Sequence, residues 1–232
     1  MAWKKTIPAL CLCACLLLTG CSTLGIDFEA QGSLENSEGE RLVLGHTADQ
    51  VFSLNYDPNY SFNPITGTST DNRLIMPLLY DSMVEMDKNF EPQPGVVDAW
   101  SSEDGIHWTL HVAPDRTFQD GSALTSTDVY YSLLQAWTQG IYTSRFSNLA
   151  GLATPDSENV SVTLHSANYL FPVLLSGIAV VKNGTAGANV PVGSGMYRLL
   201  WPEAETDETL DRAEGTEGNP RLEAYSGHPD YE

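Results

Sequence analysis

The stretch from Asp104 to Trp137 prescribes its own local structure in three consecutive steps. Asp104-Gly105 is a hairpin dipeptide. After it, Ile106, Trp108, Leu110 and Val112 alternate with His107, Thr109 and His111, the period of a strand with one face buried and its polar set in water. Asp120-Gly121 supplies a second turn, and Thr125 with Asp128 three residues on forms a capping box. Val129, Leu133, Leu134 and Trp137 then make the apolar face of a helix. A chain that commits locally to hairpin, strand and capped helix in succession is an α/β chain.

The flanks are organised around that stretch. Folding is expected to begin at Arg41, with Leu42-Val43-Leu44 a short strand. Tyr56 to Thr70, rich in Asn, Pro, Ser, Thr and Gly, reads as loop. Leu74, Leu78 and Leu79, with Met83 and Met86 beyond, predict a helix from Asp71 to about Val84, which tolerates Pro77 only near its first turns. Val160, Val162 and Leu164 alternate with Ser161, Thr163 and His165 as a further strand. Tyr169 to Leu175 reads as a short buried helix and Ile178 to Val181 as a buried strand. Pro202 to Glu217 holds seven acids against one arginine and reads as an exposed loop. A length of 232 residues, 42% of them hydrophobic, suits one or two domains with a real core.

All four cysteines, Cys11, Cys13, Cys15 and Cys21, fall before residue 22. Lys4 and Lys5, the apolar run Ile7 to Leu18, and small residues Thr19 and Gly20 make the charged, apolar and cleavage regions of a signal peptide. The apolar run is shorter than the roughly 18 residues of a spanning helix. Cys11, Cys13 and Cys15 act as small apolar residues of that run. They lack the second ligand pair of a zinc site, and a disulfide framework fails because they leave with the leader. Leu18-Thr19-Gly20-Cys21 resembles the bacterial lipobox, so residues 1–20 are expected to be a lipoprotein signal peptide, with Cys21 the lipidated first residue. Ser22 to Glu40 has five acids and no base, so 21–40 is expected to be a flexible acidic tether. Without residues 1–20 the chain keeps 9 bases against 30 acids, a net charge of −21. Nucleic acid is thereby excluded as a partner, because phosphate binding needs basic patches.

No catalytic arrangement emerges. His107 and His111 share a strand face, but that face is in solvent and no carboxylate pattern completes a metal site. Val192-Gly193-Ser194-Gly195 holds a lone G-x-G, and Arg198 stands where a dinucleotide fingerprint needs its third glycine. There is no nucleophile elbow, zincin helix or phosphate loop. The chain is therefore expected to be neither an enzyme nor a carrier of a cofactor or metal, and a tethered α/β domain without catalysis most naturally captures a solute.

Leu78 to Ala136 resembles the most characteristic stretch of the family 5 extracellular solute-binding proteins, the peptide- and nickel-binding lipoproteins of ABC importers. The family's phrases appear in order. They are Leu79-Tyr80-Asp81, Pro94-Gly95-Val96-Val97-Asp98-Ala99-Trp100, Asp104-Gly105, Phe118-Gln119-Asp120-Gly121 and Asp128-Val129-Tyr130-Tyr131-Ser132. Tyr60-Ser61-Phe62-Asn63-Pro64 is similar to an earlier family loop, and Pro191 to Arg198 to a later one in which Ser194 replaces threonine and Met196 replaces proline. His228-Pro229-Asp230-Tyr231 echoes a further N-P-x-Y-W phrase. The glycines Gly193 and Gly195 are read as serving backbone geometry rather than ligand contact.

The resemblance implies a periplasmic-binding-protein-like fold of the type II, large peptide-binding class, in which two lobes close over a solute. Residues 41–232 would be the N-terminal lobe with its inserted subdomain, the second lobe being absent, since family members run to about twice this length. It further implies that Asp57, Asn59, Tyr60 and Ser61 line the cleft; Asp57 either faces a peptide amine or cationic group or acts with Pro58 as a turn former. The expected function is a lipid-anchored, monomeric substrate-binding component that captures peptides or a related small solute. It would face the periplasm or cell exterior and deliver the solute to an ABC transporter permease, with the membrane reached through the lipid anchor. The alternative is a truncated surface lipoprotein acting as a sensory or partner-binding module.

Overall fold

The computed structural model describes residues 41–44, 52–201 and 219–231. All of them belong to one compact unit, 38–232. The expected leader 1–20, the lipidation site Cys21, the tether 21–40 and the acidic segment 202–217 lie outside the described residues.

Two sheets carry the architecture. Strands β1 (Arg41–Leu44), β2 (Phe52–Asn55), β9 (Tyr197–Leu200) and β10 (Arg221–Ala224) form the first, in the order β2-β1-β10-β9. β1 pairs antiparallel with β2 and parallel with β10, Val43 opposite Arg221 and Leu44 opposite Leu222. This sheet joins residues far apart in sequence, so it is complete only when everything between has been placed. Helix α1 (Thr70–Leu79) packs on it, and Tyr56, Phe62, Ile65, Ile75, Leu79, Val181 and Leu222 make their shared core.

The second sheet is antiparallel, β5 (Val97–Ser101), β6 (His107–Val112), β8 (Asn159–Leu164) and β7 (Leu149–Ala153), in that spatial order. Its inner face is the alternation read from sequence: Trp108 sits opposite Val162 and Leu110 opposite Val160, all four buried. Helix α2 (Ser126–Thr138) covers that face with Val129, Leu133 and Ala136. Leu134 and Trp137, expected on the same face, are only partly buried. A short ribbon, β3 (Val84–Met86) with β4 (Pro92–Pro94), and a one-turn helix α3 (Phe171–Leu174) complete the described elements together with a 3-10 turn at Gly140–Tyr142.

The start of α2 is over-determined. Asp128 Oδ2 accepts hydrogen bonds from the Thr125 amide at 2.9 Å and the Thr125 hydroxyl at 3.0 Å, which closes the capping box. Its Oδ1 accepts from the Asn183 amide at 2.9 Å, so one carboxylate caps the helix and holds the returning chain. One turn later the buried Ser132 hydroxyl exchanges bonds with Val181, donating to its carbonyl and accepting from its amide.

Helix α1 corrects the sequence reading. The expected helix to about Val84 stops at Leu79, and Pro77 stands in its last turn rather than its first. The start is set by Ser69, whose hydroxyl accepts from the Asn72 amide at 3.3 Å. The end is set by tertiary pairing: the Ser82 carbonyl accepts from Val96 and the Met83 carbonyl from Val97, while the Met83 amide donates to Ile178. Met83 and Met86 have helical spacing, but their backbone is engaged by strands.

Two further expectations change. Of Tyr169 to Leu175 only Phe171–Leu174 is helical, and Tyr169 and Leu170 are 66% and 69% exposed, because Asn168 turns the chain outward through its bond to Gly105. Ile178 to Val181 makes isolated bridges, Ser82 with Ala179 and Val181 with Gly193, rather than a strand.

His107 and His111 both project from the solvent face of β6, each engaged by a carboxylate. His107 Nδ1 lies 2.8 Å from Asp104 Oδ2, and His111 Nδ1 lies 2.6 Å from Asp98 Oδ1. Among the described residues no group of three His, Cys, Asp or Glu side chains is placed to hold a metal. The bond to Asp98 raises the His111 pKa above its ordinary 6.5 against a smaller opposing effect of desolvation, with Glu158 and Asp156 adding to the rise.

Two outcomes are expected. Asp128→Ala, which strands the Thr125 and Asn183 amides, should lower stability by about 2–3 kcal/mol, seen as a lower denaturation midpoint at unchanged slope. Because the His111 pKa is raised on folding, the His111–Asp98 tie is complete below pH 6.5 and lost as pH rises through the folded value. Melting curves on either side should show this contribution in the wild type and its disappearance in His111→Gln; an unchanged pH dependence in the variant would count against it.

Candidate functional site

The segment linking α1 to β3 is pinned on every side, and this creates a concavity beside it. The Leu79 carbonyl accepts from the Gly195 amide at 3.1 Å and from Gln119 Nε2 at 2.9 Å. Gln119 spreads its two N–H groups over three carbonyls, those of Leu79, Gly195 and Tyr197. A Cβ at Gly193 would lie 2.2 Å from the Leu79 oxygen, and one at Gly195 would lie 2.5 Å from the Leu79 carbonyl carbon, so side chains are excluded there by backbone. Tyr80, next in line, is buried and donates its hydroxyl to the Pro191 carbonyl at 3.2 Å. Burial pushes that phenol far above its ordinary pKa, so it stays a neutral donor.

Against this fixed segment lies a cleft of about 450 Å³, within the usual range of small-molecule sites. One wall is α1, through Arg73, Met76 and Pro77, with Pro64 at its edge. The floor is Tyr80, Asp81 and Ser82, continuing to Glu85 and Met86. The opposite wall is Tyr142, Ser176, Gly177 and Ala179. Ser82 ties floor to wall, its hydroxyl donating to the Val84 carbonyl at 2.8 Å and accepting from the Gly177 amide at 2.9 Å. Tyr142 donates to the Gly177 carbonyl at 3.4 Å, and Arg145 lies over its ring at 5.0 Å while donating to the Ser176 carbonyl at 3.0 Å.

The charges of the cleft differ in availability. Asp81 is fully engaged, Oδ2 with Arg116 at 3.2 Å and Oδ1 with His228 Nε2 at 3.2 Å. Arg73 and Glu85 have no side-chain partner among the described residues, and both are exposed. The cleft therefore offers one free cation, one free anion, and aromatic and aliphatic surface. That set suits a zwitterionic, partly apolar solute.

The structure gathers Asp57, Asn59, Tyr60 and Ser61 into one turn, and none of the four is among the residues lining this cleft. Asp57 Oδ1 accepts from the Asn59 amide at 3.0 Å and its side-chain amide at 3.2 Å, while the Asp57 carbonyl accepts from Tyr60. This is the turn-forming use of the carboxylate. Asn72 on α1 clasps the turn, accepting from the Asp57 amide at 2.7 Å and donating to the Asp57 and Tyr60 carbonyls. Ser61 donates to the Asn189 carbonyl at 2.7 Å, and Tyr60 is 51% exposed. Arg73, Tyr142, Ser176, Gly177 and Ala179 carry no motif, and nothing in the sequence marks them as cleft residues. A signal existed for Asn63, a polar residue between Phe62 and Pro64 that proves buried and bonded.

The model of the bacterial extracellular solute-binding proteins, family 5 Middle, matches residues 91–212, more than half of the chain. The periplasmic oligopeptide-binding protein OppA of Escherichia coli is 33% identical over 54 residues, 23% of this chain and 10% of OppA. The periplasmic murein peptide-binding protein MppA of Escherichia coli is 25% identical over 227 residues, 84% of this chain and 40% of MppA. The structure of the oligopeptide-binding protein AppA from Bacillus subtilis, in complex with a nonapeptide, superposes with a TM-score of 0.59 at 17% identity, over 82% of this chain and 38% of AppA. The matched stretches thus cover between a tenth and two fifths of the length of these relatives. With a family model across most of the α2 sheet unit and a shared fold beyond it, the chain belongs to the family 5 bacterial extracellular solute-binding proteins.

Proposed function

We propose that the chain is the N-terminal part of a lipid-anchored substrate-binding component of an ABC transporter, which captures peptides or a related small solute for import. The observation that carries this reading is the cleft beside α1, where the unpaired Arg73 and Glu85 accompany Tyr142 and the aliphatic surface of Met76 and Pro77. A peptide has one carboxylate, one amine and partly apolar side chains, the combination such a cleft addresses. In this reading residues 41–232 are the first lobe with its inserted subdomain, in the type II, large peptide-binding class, and the cleft is one side of the site. Residues 1–20 are a lipoprotein signal peptide, Cys21 the acylated residue and 21–40 the tether. The protein works as a monomer facing the periplasm or cell exterior and hands its solute to the permease. The turn Asp57–Ser61 serves the rim, with the exposed Tyr60 its most available contact.

The test is thermal stabilisation of the protein, in its full reading frame, by a library of di- to pentapeptides. A binding peptide at a hundredfold excess over its Kd should stabilise by about 2.7 kcal/mol. Arg73→Ala and Tyr142→Ala should each weaken the best peptide roughly tenfold, the loss expected for one charged or hydrogen-bonded contact. Stabilisation by no member of the library would sink the import reading. In cells producing the protein, Cys21→Ser should abolish incorporation of labelled palmitate; continued labelling would remove the anchor from the proposal.

A further inference from the structure

The phrase His228-Pro229-Asp230-Tyr231 follows the last strand of the first sheet and yet reaches the floor of the cleft. His228 is 8% exposed. Its Nδ1 lies 3.1 Å from the Asp230 amide, and an amide can only donate, so Nδ1 is the acceptor and the proton sits on Nε2. That Nε2–H points at Asp81 Oδ1, 3.2 Å away. The other oxygen of Asp81 takes Arg116 NH1, whose NH2 donates to the Gly95 carbonyl at 3.0 Å. Around this centre Tyr225 OH bonds Thr117 Oγ1 at 2.7 Å, and the Tyr225 and His228 amides donate to Met196 and Tyr225 carbonyls. The segment 225–231 is thus bonded at once to the first sheet's β9 side, to the loop before α2, and to Asp81.

We propose that His228 is a positioning residue, and that segment 225–231 is a latch coupling the chain leaving β10 to the geometry of the cleft floor. Asp81 is where the coupling passes. Its carboxylate is held from below by His228 and Arg116, while its carbonyl accepts from the Val180 amide at 2.9 Å. Val180 adjoins Ala179 of the cleft wall, which bridges to Ser82. A displacement of the chain beyond β10 therefore pulls on His228, shifts Asp81, and loosens the Ser82–Ala179 and Ser82–Gly177 ties. By linkage, a solute that stiffens the floor tightens the latch in return. The latch depends on the proposed function only for the identity of that solute, since its bonds form without one.

Two substitutions separate the arms of the imidazole by reach. His228→Asn keeps an acceptor at the Nδ1 position for the Asp230 amide but cannot extend to Asp81. His228→Gln keeps a donor at the Nε2 position. Amide hydrogen exchange on the full chain, without ligand, should show His228→Asn opening Val180 and Gly177 roughly tenfold faster, a hydrogen bond to a charged group being lost. His228→Gln should leave them near the wild-type rate, and Trp108 and Leu110 in the second sheet should not respond to either. If His228→Asn leaves Val180 and Gly177 unchanged, or the two variants affect them equally, the latch is overturned. A failure of peptide binding would leave this outcome untouched, so the two proposals fail separately.

Discussion

The Leu79 carbonyl oxygen is the point through which the described structure is organised. It lies at the end of α1, and two stretches remote in sequence converge on it: Gln119 after β6, and the glycine loop before β9. The two glycines permit the approach, since a Cβ at either would overlap the Leu79 backbone. Gln119 then binds the same carbonyl and two more from the β9 side. A helix end brought into the interior must have its carbonyls satisfied, and here the satisfying groups also hold the first sheet and the α2 sheet unit in contact.

From that point the cleft follows. With Leu79 fixed and Tyr80 buried beneath Pro191, the chain leaves the helix with Asp81 and Ser82 as floor residues and no freedom to continue as helix. Asp81 spends its charge on Arg116 and His228, so it shapes the site instead of offering an anion to it. The charges of the cleft without a side-chain partner among the described residues are Arg73 on α1 and Glu85 on β3. Division of labour among like residues is the rule here: Asp57 and Asp128 are spent on turns and caps, and Asn63 and Asn72 on loop geometry.

The legible parts of the fold were those in which periodicity and local chemistry agreed with the final environment. β6 and β8 alternate because one face meets α2 and the other meets water, and the Thr125–Asp128 box is closed by residues three apart. The unread parts were those decided by distant partners. Helical spacing past Leu79 was real in the sequence, but Met86 pairs with Pro92, and the Met83 backbone bonds Val97 and Ile178. Tyr169 and Leu170 look like core residues and are exposed, because one bond from Asn168 to Gly105 turns them away. The cleft beside α1 is assembled in the same way. Asp57–Ser61 share one loop phrase and form one turn, while Arg73, Tyr142, Ser176, Gly177 and Ala179 come from separate elements that only packing brings together around the cleft.

By itself the sequence determined the class of chain: an α/β domain with a hairpin, a capped helix, two glycines where backbones meet, and a set of landmarks in family order. These depend on neighbours in sequence or on residue types that have one physical use, so they need no coordinates. Tertiary structure alone decided where α1 ends, which carboxylates are spent and which are free, and that His228 reaches Asp81 across 147 positions. Those outcomes depend on which groups compete for the same carbonyls and carboxylates once the chain is compact, and spacing along the chain carries no record of that competition.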